Sequence, residues 1–352
     1  MPNLSATQLQ QFATELLTAG GVLPDEAAVI AESLVGANLR GHDSHGVMRI
    51  PFYLDFLKKD VARTGAPFNV LKETDSTLVV DAGWGFGQPA ARRLTERLID
   101  KAKSGGVGIG TMLHCSHVGR LGEYCEMAAE AGLVAMMMVN THGHARRIAP
   151  AGGKRRRLGT NPLAIAAPNG DAPLVLDIGT SATAEGKVRV KKIAGEPCPE
   201  GWIIDEDGRP STDPNVIYDS EGTILPLGGD QAYKGFGLAL MVEILTGALS
   251  GGDVVREQPT ARNGNCVFML VVDPAHFGGA EHFAGEVRDL AEFVRSCPTI
   301  DPDGEILLPG DPERRTMARR TETGIPIDAG NWKPLVELAE RLGVEAPTTD
   351  GL

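Results

Sequence analysis

Short apolar runs alternate with helical segments through the middle of the chain, and this alternation constrains the fold more than any other feature. Three runs are rich in aliphatic residues: TLVVDAG at 77–83, GVGIGTML at 106–113 and LVAMMMVN at 133–140. Amphipathic helices are predicted between them, near 90–103 and 123–131. Strands that alternate with helices are typical of an α/β fold in which helices cover both faces of a central sheet.

The segments that follow predict a mixed rather than a purely parallel sheet. The runs at 163–168, 174–179 and 201–208 carry turn signals between them, so we expect antiparallel strands to join the sheet. Residues 236–249 are apolar on nearly every side, which predicts a buried helix. The run CVFMLVVD at 266–273 predicts a further central strand.

Both ends of the chain are predicted to be helical. Apolar residues recur at helical spacing in two segments near the amino terminus: Leu9, Phe12, Leu16 and Leu17, then Val29, Ile30, Leu34 and Leu39. Glycines at 20, 21 and 41 end these segments, so the chain should open with a helical hairpin. A last helix is predicted at 333–342.

A glycine-rich turn between a predicted strand and a predicted helix resembles a dinucleotide-binding fingerprint, but its spacing does not fit. Gly83, Gly85 and Gly87 give GxGxG rather than GxGxxG. No acidic residue closes a second strand about twenty positions later, where the ribose hydroxyls would need one. We therefore interpret these glycines as a tight turn rather than as part of a Rossmann domain.

The segment RGHDSHGVMRIPFY at 40–53 concentrates groups that suit acid/base chemistry on a carboxylate substrate. Its two histidines exchange protons near neutral pH, and Ser44 is placed to orient the imidazole of His45. Arg49 offers a forked cation that matches a carboxylate. The alternative is a polar loop that caps the preceding helix, with Arg49 in an ion pair with Asp43.

Three further clusters follow in order: HCSHVGRLGEY at 114–124, LGTNPLAIAAP at 158–168 leading into LVLDIGTS at 174–181, and LPLGGDQAYKGFGLALMVEIL at 225–245. Together with the first segment they resemble the type 2 malate/L-lactate dehydrogenase family, which includes ureidoglycolate, sulfolactate and hydroxycarboxylate dehydrogenases. The resemblance extends from the first helix to LLPGDPERR at 307–315. The GRLGEY form is most like the hydroxycarboxylate dehydrogenase branch.

The resemblance implies an NAD(P)-dependent oxidoreductase that interconverts a 2-hydroxy carboxylate and its 2-oxo acid. It implies a nicotinamide-binding fold unlike the Rossmann domain, in which residues 1–75 and 311–352 form a helical part beside a sheet domain at 76–310. It also implies NAD or NADP as the cofactor, a small hydroxy or oxo acid as the substrate and a homodimer as the assembly.

Catalytic and substrate-binding roles are predicted in the first two clusters. Both His45 and His117 are candidates for the group that accepts and donates the proton, with Ser44 as an orienting hydroxyl. Arg49 is the candidate partner of the substrate carboxylate. Arg120 stands where many family members have a small or apolar residue, and it is a candidate second anion contact.

The nicotinamide cofactor is predicted to lie across several loops, where strand ends and glycine turns supply donors. The predicted cofactor-binding residues are Asn140, Thr141, Gly159, Thr160, Asn161, Asp177, Ile178, Gly179, Lys234, Gly310 and Arg314, with Thr180, Ser181 and Lys187 beside them. Ordinary turn chemistry is the alternative for each. The basic run at 144–157 is interpreted as a solvated face or a subunit contact, or as a site in which Arg155 to Arg157 hold the 2′-phosphate of NADP.

Composition excludes several functional classes. The formal net charge of −12 argues against sequence-independent binding to nucleic acid. No apolar stretch approaches the roughly 20 residues that cross a bilayer, and the first residues lack the pattern of a signal peptide, so we expect a cytoplasmic protein without membrane contact. Five cysteines without a CxxC pair indicate reduced, mostly buried thiols.

Three alternative functions stay open on the sequence alone. A cyclic imino acid reductase would use the same hydride geometry and the same histidines. A metal-dependent hydrolase would use His42, Asp43 and His45 as ligands, but no HExxH or comparable ligand set accompanies them. A binding protein without turnover would hold a nicotinamide nucleotide in a histidine-rich pocket.

Overall fold

The computed structural model describes residues 2–170, 172–258, 260 and 262–348. Within these ranges the α-helices are α1 (Ala6–Ala19), α2 (Pro24–Leu39), α3 (Ile50–Lys58), α4 (Gly87–Gly105), α5 (Leu121–Glu130), α6 (Glu185–Ala194), α7 (Asn215–Tyr218), α8 (Tyr233–Glu243), α9 (Ala280–Arg295), α10 (Asp311–Thr323) and α11 (Ala329–Leu342). The strands are β1 (Asn3–Leu4), β2 (Asn69–Glu73), β3 (Thr77–Gly85), β4 (Val107–Cys115), β5 (Val134–Asn140), β6 (Leu163–Ala167), β7 (Leu174–Ile178), β8 (Ile203–Ile204), β9 (Pro210–Ser211), β10 (Thr223–Ile224), β11 (Asn265–Val272) and β12 (Ile325–Pro326). Short 3-10 helices at Asp43–His45 and Val47–Arg49 connect α2 to α3, and a π-helical turn at Ile244–Ala248 extends α8.

Seven strands form the central sheet in the order β2-β3-β4-β11-β5-β6-β7. In the described part of the chain, β3 and β4 are its one parallel pair, and every other neighbouring pair is antiparallel. The mixed sheet predicted from the sequence is therefore confirmed. Its order also differs from the parallel arrangement of a Rossmann domain.

Helices cover both faces of the central sheet, as predicted. On one face α4 and α5 pack over a fully buried core that includes Leu94, Leu98, Met112, Met137 and Met269. α8 and the π-helical turn contact β5 and β11 from the opposite side. Successive strand residues point to opposite faces, so the same strands supply side chains to both layers.

The two chain ends share a second core. Buried side chains of α1, α2, α3 and α11 pack together there, among them Leu9, Leu16, Ile30, Tyr53 and Leu335. β1 and β12 pair antiparallel and join the two ends directly. The predicted helical hairpin is confirmed, and the last helix begins at Ala329, earlier than expected. β2 lies within the residues predicted for this helical part, but it pairs with β3 in the central sheet.

The sequence does not predict a small third unit of the structure. β8, β9 and β10 form a separate three-stranded sheet, and α6 lies between β7 and β8. The prediction that the run at 201–208 joins the central sheet is therefore wrong. Its pattern identifies an extended segment, but a pattern does not specify the partner strand, and α6 carries the chain away from the sheet.

The helix predicted to be buried at 236–249 is exposed along one side. Leu240, Met241, Ile244 and Leu249 each leave 43–57% of their surface accessible. The helix itself is present, and the described chain packs against its opposite side. The expectation that this helix is buried within the chain is therefore wrong. A helix that is apolar on every side is expected to be buried, but the pattern does not show whether the same chain or another molecule covers it.

The cysteines agree with the expectation of reduced thiols. All five are free, and four of them are buried while Cys297 is exposed. Among the helices that the structure describes, none is long and apolar enough to cross a lipid bilayer.

Candidate active site

A cleft opens at the edge of the sheet where β4, β5 and β7 end and where β6 and β11 begin. Its volume is about 650 Å³. Residues 40–45, the start of α6 and the start of α10 close its other sides. Strand ends leave loop side chains and backbone groups free for ligands, so a site is expected at this edge.

The structure brings most of the predicted site residues to this cleft. Those that line it are Ser44, His45, His117, Arg120, Asn140, Thr141, Thr160, Asp177, Ile178 and Gly179. Ser181 and Lys187 lie at the same cleft. These residues come from loops far apart in sequence, which the sheet topology places side by side.

The two candidate histidines stack against each other. Their ring centroids lie 5.5 Å apart, with the ring planes 18° from parallel. His45 Nδ1 lies 3.1 Å from the Ser44 hydroxyl oxygen, as an orienting role requires. His117 Nδ1 lies 2.8 Å from the hydroxyl oxygen of Tyr53, whereas its Nε2 makes no hydrogen bond to the described residues. One substrate in the cleft could therefore reach both imidazoles.

Burial and a neighbouring cation favour the neutral form of both imidazoles. Burial, followed by the charge of Arg49, lowers the pKa of His45 to about 3. The same two causes hold the pKa of His117 well below its usual value. Both rings are therefore neutral near pH 7 in the free protein, and each is able to accept a proton.

We expect these buried neutral histidines to make the fold sensitive to acid. In the unfolded chain a histidine takes up a proton as the pH falls below about 6.5, whereas folded His45 stays neutral down to about pH 3. The unfolded state binds more protons between these values, so this contribution to stability is full above about pH 6.5 and is lost as the pH falls. Denaturation at about pH 7 and about pH 5 should show a smaller loss of unfolding free energy in His45→Gln than in the unaltered protein. An equal loss in both proteins would contradict this expectation.

Arg49 lies beside the histidines, outside the set of residues that line the cleft, and most of its guanidinium is uncommitted. Its Nε donates to the backbone oxygen of Ser44 at 2.6 Å, and no carboxylate of the described residues pairs with it. The alternative ion pair with Asp43 does not form, because Arg320 of α10 holds Asp43 at 2.7 and 3.0 Å. Two guanidinium nitrogens of Arg49 therefore stay available for a carboxylate.

Arg120 is buried at the amino end of α5 with one nitrogen unpaired. Its Nη2 donates to Glu126 at 2.6 Å, and Arg40 reaches the same carboxylate oxygen at 3.0 Å. Its Nη1 is buried and has no partner in the part of the chain that the structure describes. The nearby carboxylate of Asp177 accepts from the Gly122 backbone at 2.7 Å. Arg120 thus keeps one guanidinium nitrogen, Nη1, for an anion.

Two asparagines predicted to bind the cofactor commit their side-chain amide nitrogens to the protein, while Oδ1 of Asn161 is buried without a partner among the described residues. Asn140 and Asn161 are fully buried, and the amide nitrogen of each donates to the carboxylate of Glu243 at 2.9 Å. The same carboxylate accepts from the backbone of Val255 at 3.1 Å. These bonds tie the end of β5, the turn before β6 and α8 together. The asparagines therefore shape the cleft through Glu243, which the sequence did not single out.

Replacing Glu243 with alanine should destabilise the protein strongly. The change leaves one N–H of each amide and one backbone N–H without an acceptor. Each buried donor without an acceptor costs about 1–3 kcal/mol. We expect the free energy of unfolding, measured by guanidinium denaturation, to fall by roughly 3 kcal/mol or more. The exposed Glu257→Ala provides the control. Equal stability of the two variants would show that Glu243 does not hold these loops.

With this geometry in place, comparison with known proteins decides the family. The family model described as malate/L-lactate dehydrogenase matches residues 4–336 of the chain. The chain belongs to the malate/L-lactate dehydrogenase family. It is an enzyme of the 2-hydroxyacid dehydrogenase type, and the resemblance recognised in its motifs is confirmed.

Similar proteins cover nearly the whole of this dehydrogenase. Hydroxycarboxylate dehydrogenase B of Escherichia coli strain K12 is 35% identical over 349 residues, which cover 97% of this chain and 95% of that protein. The structure of malate dehydrogenase from Pyrococcus horikoshii OT3 has a TM-score of 0.88 at 34% identity and covers 98% of this chain and 97% of its own. The structure of Δ1-piperideine-2-carboxylate reductase from Pseudomonas syringae pvar. tomato has a TM-score of 0.83 at 34% identity and covers 96% and 100%.

Several residues predicted to bind the cofactor of this dehydrogenase lie outside the cleft lining. Lys234 is exposed on α8, and Gly159 and Gly310 occupy turns beside the cleft. Arg314 donates to the backbone oxygen of Pro173 at 2.6 Å, so it holds the segment before β7. These four residues belong to segments that approach the site, and their role in cofactor binding stays a prediction.

The arginines considered for a 2′-phosphate also lie elsewhere in the dehydrogenase. Arg156 donates to three backbone oxygens between residues 217 and 222 at 2.7–2.9 Å, so it secures the small sheet unit. Arg155 and Arg157 do not line the cleft. The cations that do line it are Arg40, Arg120 and Lys187.

The glycine-rich turn between β3 and α4 is filled by the chain itself. A Cβ on Gly87 would lie 2.4 Å from the backbone oxygens of Ser116 and His117, and Gly83 has a φ of +57° beside Pro67. The turn therefore lets α4 begin directly against the loop that carries His117. This agrees with the interpretation as a tight turn and leaves no room there for a pyrophosphate.

Sequence reasoning missed the residues that support the catalytic candidates. Tyr53 ends the segment at 40–53 without a predicted role, and Gln88 directly follows the glycine-rich turn, in the first turn of α4. Asn265 at the start of β11 bridges the chain after β4 to the end of β5. No local pattern marks these side chains, because their partners come from elements distant in sequence.

The geometry gives no support to a metal-dependent hydrolase. Within the ranges that the structure describes, no three His, Cys, Asp or Glu side chains come together as a metal-ligand set. His42 instead approaches Glu313 of α10 at 3.4 Å. The cleft of this dehydrogenase instead places two imidazoles and several cations along its wall.

Proposed function

We propose that this dehydrogenase interconverts a 2-hydroxy carboxylate and its 2-oxo acid, with NAD or NADP as the cofactor and a histidine that exchanges the substrate proton. The observation that carries the proposal is the meeting of two neutral imidazoles with an uncommitted guanidinium. Oxidising a 2-hydroxy acid removes a proton from the hydroxyl group and a hydride from the same carbon. A base must therefore lie beside an anchor for the carboxylate.

We assign proton exchange to His117 and the substrate carboxylate to Arg49. His117 lines the cleft and its Nε2 makes no hydrogen bond to the described residues. The charge of Arg49 contributes to the lowered pKa of both imidazoles. A carboxylate bound to Arg49 would offset that charge and raise the pKa of His117, so the ring becomes a stronger base once the substrate is bound.

The residues of the cleft fit a nicotinamide dinucleotide. Thr141, Thr160 and Gly179 offer hydroxyl and backbone groups along its wall. Lys187 lies at the amino end of α6, where a cation and the helix dipole together favour phosphate. A Cβ on Gly186 would lie 3.5 Å from that of Ser44, so α6 begins beside the catalytic segment. When bound, the cofactor supplies or accepts the hydride, and the protein orients the substrate and exchanges the proton.

Steady-state oxidation of NADH and NADPH, followed at the absorbance of the reduced ring, tests this proposal. The substrates are oxaloacetate, pyruvate, phenylpyruvate and a hydroxyphenylpyruvate, which share the 2-oxo carboxylate and differ beyond it. Turnover of at least one of them is expected. Absence of turnover across the panel with both cofactors would contradict the proposal.

A cyclic imino acid reductase is the second candidate, and one comparison favours it. The chain is 34% identical to Δ1-piperideine-2-carboxylate reductase over nearly the full length of both proteins. The same histidine geometry would protonate an imine nitrogen in place of a carbonyl oxygen. Adding Δ1-piperideine-2-carboxylate to the panel separates the candidates. Turnover of this imine together with no turnover of any oxo acid would replace the first proposal with the second.

The family resemblance implies a homodimer, and we also propose that its two copies associate through the exposed side of α8. Leu240, Met241 and Ile244 lie on one helix face and are each close to half exposed. An apolar face of this kind marks an interface, and one face is able to meet its own copy across a twofold axis. Light scattering should give the mass of two chains for the unaltered protein and of one for the double variant Met241→Glu, Ile244→Glu. The exposed change Arg189→Glu on α6 is the control, and a monomeric unaltered protein would contradict the proposal.

A further inference from the structure

A chain of buried hydrogen bonds leads from His117 away from the cleft. The Tyr53 hydroxyl lies 2.8 Å from His117 Nδ1, and Gln88 Nε2 donates to the same hydroxyl at 2.8 Å. Tyr53 and Gln88 are each 1% exposed, so both bonds are shielded from bulk solvent. The Tyr53 ring packs against Phe86, with 6.1 Å between the ring centroids. The hydroxyl is therefore held in place behind the imidazole.

The direction of the single Tyr53 hydroxyl proton determines the state of His117. Because Gln88 donates to the hydroxyl oxygen, the proton of Tyr53 points towards His117 Nδ1, which must then be bare. The neutral ring consequently carries its own proton on Nε2. In this state Nε2 is a hydrogen-bond donor, which suits the binding of the carbonyl oxygen of a 2-oxo acid before any proton is transferred.

The opposite state needs an acceptor for the Tyr53 proton, and Gln88 carries one. Its Oε1 is buried and makes no hydrogen bond to the residues that the structure describes. A half-turn of the amide exchanges Oε1 with Nε2, after which Tyr53 donates to Gln88 and accepts from the N–H group at His117 Nδ1. Nε2 of His117 is then bare, which suits the hydroxyl proton of a 2-hydroxy acid. Each orientation of the amide leaves one polar atom of Gln88 unpaired, so neither state is excluded by the surroundings.

Tyr53 keeps its proton in both states. Burial raises the pKa of Tyr53 to about 12, although Arg49 and the Gln88 hydrogen bond act against it. A tyrosinate does not form near neutral pH, so the hydroxyl changes direction rather than charge. The charged and titratable groups that face this chain are Arg49 and His45 beside His117, and Arg49 and Glu123 beside Tyr53.

We propose that Gln88 and Tyr53 form a reversible hydrogen-bond relay that selects which nitrogen of His117 carries the proton. The inference rests on the proposed role of His117 in proton exchange. In reduction, the neutral ring first takes up a proton from solvent, which leaves both nitrogens protonated and the Nδ1 N–H bonded to Tyr53. The imidazolium then gives its Nε2 proton to the substrate oxygen as the hydride reaches the carbon. In oxidation, the bare Nε2 takes the hydroxyl proton back as the hydride leaves the same carbon. Tyr53 and Gln88 are therefore positioning residues, because they act through His117.

Nitrogen chemical shifts of ¹⁵N-labelled histidines test the relay without substrate or cofactor. The signal of His117 is identified by its loss in His117→Gln. In the unaltered protein we expect a neutral ring with the proton on Nε2. Tyr53→Phe keeps the packed ring and removes the hydroxyl, so the proton should distribute over both nitrogens. Tyr124→Phe is the matched control, since its buried hydroxyl bonds to the Val118 backbone and should leave the His117 signal unchanged.

The kinetics of Gln88→Met provide a second test of the relay. Methionine fills the volume of glutamine but offers no acceptor oxygen to Tyr53, so the bare Nε2 state loses its support. We expect kcat for oxidation of the hydroxy acid to fall about tenfold with KM nearly unchanged. This fall corresponds to about 1.4 kcal/mol, which is within the contribution of one hydrogen bond. This variant also carries the test if Tyr53→Phe does not fold.

Two results would overturn the relay: an unchanged His117 signal in folded Tyr53→Phe, or an unchanged kcat in Gln88→Met. The tautomer is measured on the free protein, so its outcome is independent of whether the proposed reaction is correct. A changed His117 tautomer in Tyr53→Phe, together with no turnover of any 2-oxo acid, would support the relay and contradict the proposed function.

Discussion

His117→Gln should lower kcat about 10³-fold in both directions, which is within the contribution of a well-positioned acid/base group. Glutamine is polar and of similar reach, but it does not exchange a proton near neutral pH. The substrate would then have to exchange its proton with water, because Nε2 of His117 is the free imidazole nitrogen that we assign to this exchange. Initial rates give kcat, and the fluorescence of bound NADH or NADPH should show an unchanged affinity for the cofactor.

His114→Asn is the matched control for this substitution. His114 lies near the end of β4, just before the loop that carries His117. Its ring stacks on Trp84 at 4.9 Å and its Nδ1 lies 3.1 Å from Asp81, and His114 does not line the cleft. Asparagine tolerates the left-handed backbone of this position, where φ is 52°. The control should keep most of its activity. Full activity in His117→Gln together with loss of activity in His45→Gln would assign the proton exchange to His45 instead.

Arg49→Lys should lower kcat/KM for a 2-oxo acid by roughly 100-fold although the positive charge is kept. Lysine presents a point charge and cannot make two parallel bonds to a carboxylate. It also loses the Nε bond to the Ser44 backbone that fixes the guanidinium beside His45. Hydrogen bonds to charged groups contribute about 1.5–3 kcal/mol, and the lost orientation lowers the rate further.

Arg63→Lys makes the same change where Arg63 pairs with Asp60 on the surface, and it should leave kcat/KM unaltered. The two variants are compared by initial rates over a range of substrate concentrations. An unchanged kcat/KM in Arg49→Lys would remove Arg49 from the carboxylate site. The unpaired nitrogen of Arg120 would then be the next candidate.

Elements that bury one face against neighbours were predictable from the sequence. The run at 106–113 became β4 at Val107–Cys115, and the helical pattern near 123–131 became α5, because the period of the apolar residues records a packed face. The partner of each strand in a sheet was harder to predict. The run at 201–208 has a strand pattern but pairs in a separate sheet, since strand pairing depends on the path of the whole chain.

In the candidate site, reactive groups were predictable and their supports were not. His45, His117 and Arg49 have chemistry that stands out in a sequence, and the structure brings them together. Gln88 and Glu243 act through hydrogen bonds whose partners are decided by proximity in three dimensions. The same reason explains why Asn140 and Asn161 were predicted to bind the cofactor. A sequence does not show whether a side-chain amide pairs with a ligand or with a carboxylate of its own chain.

The central claim is that the cleft transfers a hydride between a nicotinamide and the carbon that carries the hydroxyl of a 2-hydroxy acid. The most direct measurement uses NADH and NADPH deuterated at C4 of the nicotinamide, with mass spectrometry of the product formed from a 2-oxo acid. We expect a 2-hydroxy acid with one deuterium at C2. A hydroxy acid without deuterium at C2, or no hydroxy acid with either cofactor, would contradict the proposed reaction.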